Sequence, residues 1–188
     1  METAVVVLAA GESKRFDGFK LLADFCGEPV VVRAVRSAVA AGVGPVHVVI
    51  GHNADAVRSA IRRAGLNPIF IYNPWYRLGV SASLKAALIY APFYERYVIA
   101  LGDMPLVKPE TYKTLLAHIG DADIVYPVYK GVRGNPVAVS RAVLPSALEI
   151  QGDVGIRAIM SAHRSLGVEV DDPGVLVDVD RRGDITCG

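Results

Sequence analysis

Apolar residues recur along the chain in two rhythms. Thr3 to Ala9 is an unbroken, largely β-branched run that stops before Gly11, the pattern of a strand buried on both faces. After Pro29, which suits a first helical turn, Val31, Ala34, Val35, Ala38 and Val39 repeat at helical spacing, and Gly42 closes the helix. The alternation continues. Val46 to Ile50 predicts a second buried strand, and Val57, Ala60, Ile61 and Ala64 a helical face ended by Gly65. Ile69 to Tyr72 predicts a third strand, Ser81 to Ala91 a helix stopped by Pro92, and Tyr97 to Leu101 a fourth strand. Tyr112, Leu115, Leu116 and Ile119 mark a further helix. Such alternation implies right-handed crossovers and a mostly parallel sheet. The later part changes character. Ile124 to Tyr129 and Pro136 to Ser140 flank a Gly-containing loop, Lys130 to Asn135, and read as a hairpin-like pair of strands. Two short helices and a strand around Val175 to Val179 are expected after it. The pattern predicts an α/β fold, a single domain with a mostly parallel sheet and an antiparallel C-terminal elaboration.

Composition narrows the functional classes. The chain has 188 residues, 20 Lys plus Arg against 19 Asp plus Glu, and 52% hydrophobic residues. It is too apolar and too nearly neutral for disorder, and no basic excess points to nucleic acid. The mean hydropathy of +0.36 raises the question of a membrane. The longest stretch free of Asp, Glu, Lys and Arg, Ser37 to Ala54, carries Gly42, Gly44, Pro45, His47 and His52. It reads as helix end, turn and strand rather than a span. The N-terminal apolar run is short and lacks a basic start, unlike a signal peptide. Cys26 and Cys187 suggest neither a metal site nor a disulfide framework, so a reducing cytoplasm is the expected location.

Five segments hold chemistry-bearing residues. Leu8-Ala9-Ala10-Gly11-Glu12-Ser13-Lys14-Arg15, with Gly18 and Lys20, runs from a buried strand into a loop with a glycine, a hydroxyl and three cations. Ligands bind beyond the carboxyl ends of strands in such sheets, and exposed amides hold phosphate oxygens. The spacing is neither a Walker loop nor a dinucleotide fingerprint, so a solvated charged turn is the competing reading. Gly102 and Asp103 follow the fourth strand, where a carboxylate suits Mg²⁺ beside phosphates or merely shapes a turn before Pro105. Ser81 and Ser83 open a helix; one is expected to cap it, leaving the other for a base or ribose. Arg133-Gly134-Asn135-Pro136 and Gly152-Asp153-Val154-Gly155-Ile156-Arg157 form a fourth group. Asp153 there suits a helix cap, and Arg157 a surface position or a phosphate grip. Asp178 and Asp180 would share one strand face, as a solvent side or as part of a metal site. His47, His52, His118 and His163 have no common metal spacing.

Taken in order, these segments resemble those of molybdenum cofactor nucleotidyltransferases, over nearly the whole chain. The Leu-Ala-Ala-Gly start is similar to the cytidylyl-transferring branch, since the guanylyl branch usually has glycine in place of Ala10. The resemblance implies a three-layer, Rossmann-like nucleotidyltransferase fold of the glycosyltransferase-A type. Residues 1–188 would then form one transferase domain, with about 1–105 for the nucleotide and about 106–188 for the acceptor. It implies transfer of CMP from CTP to the phosphate of the molybdopterin cofactor, with release of pyrophosphate. Leu8, Ala9, Ala10, Gly11 and Gly102 would lie at the nucleotide, with Ser81 and Ser83 near its base or ribose. Arg15 and Lys20 would meet its phosphates, and Asp103, with Asp180 or Asp178, would bind Mg²⁺. Arg133, Asn135, Asp153 and Arg157 would face the acceptor. A molybdoenzyme or its maturation factor is a further implied partner; nucleic acid and membrane are not. The chain departs from the family pattern at Asp17, where glycine is common, and at Arg181-Arg182-Gly183-Asp184, where Thr-Pro and two acids are usual.

The same residues serve two other readings. One is a nucleotidyltransferase charging a sugar phosphate or small phosphoacid. The other is a non-catalytic nucleotide or cofactor carrier. An NAD-dependent oxidoreductase is disfavoured by the missing glycine fingerprint.

Overall fold

The computed structural model describes residues 2–13 and 16–185. In chain order, β1 (Thr3–Ala9) leads to a small hairpin, β2 (Asp24–Phe25) and β3 (Glu28–Pro29), and then to α1 (Val30–Ala40). There follow β4 (Val46–Ile50), α2 (Ala54–Arg63), β5 (Ile69–Tyr72), α3 (Val80–Tyr90), β6 (Arg96–Leu101) and α4 (Pro109–Ala117). The later part adds β7 (Ile124–Tyr129), β8 (Val132–Arg133), β9 (Val137–Ser140), α5 (Leu144–Glu149) and β10 (Ser165–Glu169).

The main sheet runs β10-β7-β9-β6-β1-β4-β5, with β8 attached to β7. β1 pairs in parallel with β4 and β6, and β4 with β5. β9 is antiparallel to both β6 and β7, while β10 lies parallel to β7. The expected architecture is therefore present: a single-domain, Rossmann-like α/β fold with a mostly parallel, mixed sheet.

The run Thr3–Ala9 alternates its side chains between two cores, as a strand must. Val5, Val7 and Ala9 join Val31, Val35, Val57, Ile61 and Leu115 on one face of the sheet. Ala4 and Val6 join Leu84, Ala87 and Ala147 on the other. With helices covering both faces, the all-apolar strands are explained. A smaller cluster of Phe16, Phe25, Val30 and Val179 sits apart and ties the C-terminal segment to the loop after β1.

The order of strands fixes where a ligand can bind. The chain steps from β1 to β4 and β5 on one side, then crosses to place β6 on the other side of β1. Beyond the carboxyl ends of β1 and β6, connections diverge and a crevice opens. Gly102 makes the close approach of these ends possible. Its N–H donates to the Leu8 carbonyl at 2.8 Å, and a Cβ there would stand 3.0 Å from that oxygen.

Several expectations are corrected. Val175 to Val179 is not a strand: Pro173–Leu176 is a 3-10 turn, because Gly174 packs its α-carbon against the Leu106 carbonyl, where a Cβ would come within 2.1 Å. The strand in this region is β10, whose mixed sequence Ser-Leu-Gly-Val-Glu sits at a sheet edge and stays half-exposed. The stretch 152–155 does not open an α-helix; a 3-10 segment, Ile156–Ala162, follows it. Cys26 is disulfide-bonded, against the expectation of no disulfide; Cys187 lies outside the described residues. Among the described residues no helix is long and apolar enough to cross a membrane.

Gly134 gives a test of the later architecture. A Cβ there would lie 2.3 Å from the Val175 carbonyl, which cannot yield while Asn135 donates its N–H to the same oxygen at 2.9 Å. Gly134→Ala is expected to lower stability by about 1–3 kcal/mol, measured as a fall in Tm and in denaturation midpoint.

Candidate active site

A cavity of about 750 Å³ opens beyond the ends of β1 and β6. Leu8, Ala9, Ala10 and Gly11 line one side, as expected from the first segment. A Cβ on Gly11 would meet nothing within 4 Å, so its backbone is open to close approach by a ligand. Ser13 adopts a left-handed conformation with φ 59°, and its hydroxyl accepts the Lys20 backbone N–H at 3.2 Å. The loop thus folds back and delivers Lys20 to the cavity. Lys14 and Arg15 lie outside the described residues.

Lys20 Nζ donates to Asp103 at 2.6 Å and to Asp180 at 3.0 Å. Burial works against the ammonium, but the two carboxylates outweigh it and hold the amine above its ordinary value. Asp103 follows β6 after Gly102. Asp178 and Asp180 arrive from the far end of the chain, where the Val179 N–H donates to the Asp103 carbonyl at 2.9 Å. Val179 is fully buried, so extended backbone turns both neighbouring acids the other way. The expected shared face is real, although no strand carries it. Asp184 accepts the Asp180 and Arg181 N–H groups and holds this segment in place.

Ligand oxygens of Asp103, Asp178 and Asp180 lie within 4.8 Å of one another. Three hard oxygen donors around one point suit a divalent cation such as Mg²⁺ or Mn²⁺, and the Lys20 ammonium already demonstrates that a cation is accepted there.

The structure sorts the remaining candidates. Ser83 lines the cavity and accepts a hydrogen bond from Asn73 Nδ2 at 3.1 Å. Ser81 is buried and does not line the cavity. Neither serine caps α3. The cap comes instead from Asp153, whose carboxylate accepts the Val80 N–H at 3.2 Å, so Asp153 reaches the cavity wall by way of α3. Gly102 lies beneath the site rather than in its lining. Arg133, Asn135 and Arg157 also stand outside the lining. Arg133 stacks over Tyr126 at 5.2 Å, and burial together with the nearby Arg157 charge pushes its guanidinium below its usual value. Among the described residues neither arginine has a carboxylate partner. Asn135 is anchored through its backbone to Val175.

The two departures from the family pattern meet. Arg182 donates through Nε and a terminal nitrogen to the Asp17 carbonyl at 3.2 and 3.0 Å and stacks over Phe16. The Asp17 side chain is exposed, with Arg182 3.6 Å away, and stays outside the cavity lining.

One wall is formed by residues outside the five segments. Tyr76 and Arg77, in the loop after β5, line the cavity, and Arg77 Nε donates to Glu12 at 3.3 Å across its mouth. Gly51 admits Tyr76: a Cβ there would stand 2.7 Å from the tyrosine Cβ. The available signal was position, since this loop leaves the carboxyl end of a parallel strand.

A glycine-bearing loop, a lysine and a carboxylate cluster at such a switch point define a nucleotidyltransferase architecture. A nucleotidyl transferase from Methanothermobacter thermautotroptrophicus superposes with a TM-score of 0.84 at 27% identity, covering 97% of this chain and 94% of that one. Rv0371c from Mycobacterium tuberculosis H37Rv superposes with a TM-score of 0.83 at 28% identity, covering 98% and 96%. It has also been solved in complex with manganese. Residues 5–166 match the MobA-like NTP transferase domain, and the chain belongs to that family. A shorter similarity, 43% over 61 residues, links 31% of this chain to 13% of the bifunctional protein GlmU of Sorangium cellulosum; the chain spans only a small part of the curated relatives it matches.

Burial, with Asp103 and Asp180 close by, pushes the Asp178 carboxyl above its usual value. Ionising it is therefore harder in the fold than in the unfolded chain. It lowers stability as pH rises past the unfolded value near 3.8, fully so above the folded value. Asp178→Asn is expected to raise the Tm at pH 7 in chelator, with the gain vanishing below about pH 3.8. In the same melts, the stabilisation conferred by added Mn²⁺ should shrink.

Proposed function

We propose that the protein transfers CMP from CTP to the phosphate of the molybdopterin cofactor, releasing pyrophosphate. The observation that carries this reading is the meeting of Lys20 with Asp103, Asp178 and Asp180 in the cavity formed by the Ala9-Ala10-Gly11 turn. Such a site concentrates charge control at one end of a volume suited to a nucleotide. Family membership supports the transferase class, and Ala10 favours CTP by resemblance to the cytidylyl-transferring branch.

The reaction would be an in-line displacement at the α-phosphorus. The acceptor phosphate is already ionised near neutral pH, so the nucleophile needs no general base. Positioning and charge neutralisation supply the catalysis. Backbone amides of the Gly11 turn would hold phosphate oxygens, and Lys20 would neutralise charge on the transferred group and departing pyrophosphate, aided by Arg15. Ser83 would meet the base. Asp103, with Asp178 and Asp180, would hold Mg²⁺, which supplies Lewis-acid neutralisation of phosphate oxygens.

The acceptor phosphate would be drawn by Arg133 and Arg157, two neighbouring cations without a carboxylate partner among the described residues. In this reading residues up to about 105 hold the nucleotide and 106–188 the acceptor, with Asp178 and Asp180 crossing back to the nucleotide side. The product would pass to a molybdoenzyme or its maturation factor.

The partial similarity to GlmU proteins favours one second reading, transfer of a nucleotide to a sugar phosphate. Pyrophosphate release with CTP, GTP, UTP and ATP, each with Mg²⁺ and either molybdopterin cofactor or a sugar 1-phosphate, separates the two. CTP with molybdopterin should give the highest rate. Activity with the sugar phosphate alone establishes the second reading. Lys20→Ala and Asp103→Ala should each lower turnover about a hundredfold or more.

A further inference from the structure

Asn73 follows β5 and is fully buried. Three hydrogen bonds hold it. Its backbone N–H donates to the Ile50 carbonyl at 2.8 Å, tying it to the end of β4. Its side-chain oxygen accepts the Trp75 N–H at 3.0 Å. That bond decides which way the carboxamide faces, because a reversed amide would set two donors against each other. The nitrogen must then point at Ser83, and it donates to the serine oxygen at 3.1 Å.

This arrangement has a consequence for Ser83. A hydroxyl carries one proton and two acceptor positions. With Asn73 occupying an acceptor position, the proton is directed elsewhere. Among the described residues Ser83 makes no bond to a carbonyl of its own helix or to any other acceptor. Its residue is nearly buried, yet it forms part of the cavity wall. A buried donor without an acceptor is costly, and here the cavity is the place where an acceptor can be supplied.

We infer that Asn73 is a positioning residue for nucleotide selection: it holds Ser83 as a hydrogen-bond donor toward the cavity, and so favours a nucleobase that presents an acceptor there, such as O2 or N3 of cytosine. The inference rests on the reading of the cavity as a nucleotide site. Asn73 touches no ligand itself. Its influence passes through the polarity of one hydroxyl. Ser81, two positions earlier in the helix, plays no part, because it lies outside the lining.

Asn73→Asp inverts that polarity. A carboxylate would still accept the Trp75 N–H, but it would also accept the Ser83 proton, leaving the serine to present only lone pairs to the cavity. Binding of CTP, UTP, GTP, ATP and 2′-deoxy-CTP, with Mg²⁺ and no acceptor, should be measured by calorimetry on wild type, N73D, S83A and the double variant, with thermal melts to establish folding. The cycle is read on the nucleotide the wild type binds best. S83A should weaken that nucleotide about tenfold, the worth of one hydrogen bond in a closed site. N73D should weaken it at least as much and reduce its preference over GTP, and should add nothing in the S83A background. The S83A loss should persist with 2′-deoxy-CTP.

Unchanged affinity in S83A overturns the inference. So does an N73D penalty of equal size with and without Ser83, which would mark a purely structural role through Trp75. Disappearance of the S83A loss with 2′-deoxy-CTP assigns Ser83 to the ribose and overturns base selection. Should N73D fail to fold, Asn73→Ala provides the same cycle, with a loss smaller than that of S83A and again none in its absence. Wild type that binds no nucleotide defeats the underlying reading of the site. Wild type that binds nucleotide while the variants match it defeats the inference alone.

Discussion

The contact between Lys20 and the carboxylates of Asp103 and Asp180 governs the site and much of the chain's later path. Three carboxylates whose oxygens lie within 4.8 Å repel one another strongly in a half-buried crevice. The fold brings them together only because a cation stands among them and the backbone holds them by other means. The Val179 amide bonds the Asp103 carbonyl, and the Val179 side chain is locked in its own apolar cluster with Phe16, Phe25 and Val30. Packing on one side of the segment thus offsets electrostatic tension on the other. An ammonium on a long stem balances these carboxylates, and the same three side chains would hold a divalent cation, which would supply further charge neutralisation there.

The separation of apolar clamp from acidic face also explains which parts were legible in the sequence. The runs at β1, β4, β5 and β6 announce themselves because strands buried on both sides need continuous apolar residues. Asp103 is legible because it ends such a run. Asp178 and Asp180 were recognisable by alternation around Val179, even though the strand expected there is absent: an extended segment keeps its two-residue period without a ladder. What failed were elements defined by contacts across the chain. β10 is an edge strand with glycine and two polar residues, so its sequence lacks the run. The capping of α3 by Asp153 involves a residue 73 positions away from Val80, and no local pattern can reveal it. The choice of Ser83 over Ser81 depends on which face of α3 meets Asn73, a matter of helix rotation set by packing.

The pairing of Asp17 with Arg182 follows the same logic. Each is a departure from the usual family pattern, and each alone looks damaging: an acid near phosphates, and a basic pair in place of acids near a metal. Together they form a closing contact between the loop after β1 and the C-terminal segment. The Arg182 guanidinium binds the Asp17 carbonyl and lies over the Phe16 ring, beside the apolar cluster that anchors Val179. The acid is held outward and the base is spent on backbone, so neither charge enters the cavity. The two departures are thus spent on a contact with each other outside the cavity lining.

A near-neutral total, +1 over the chain, is compatible with a site built on charge because the charges are divided by position in the sheet. β6 separates β1 from β9, and Asp103 stands at its end. On the β1 side lie the Gly11 turn and Lys20. On the β9 and β7 side lies Arg133, on the short strand paired to β7, with Arg157 close to it. A displacement in line at phosphorus needs nucleophile and leaving group on opposite sides. In the proposed reaction, an acceptor drawn by the arginines and a pyrophosphate held by the turn would approach from the two sides of β6. The antiparallel insertion of β9 beside β6 breaks the parallel repeat. It places the strand pair β7 and β8, which carries Arg133, on the far side of β6 from β1.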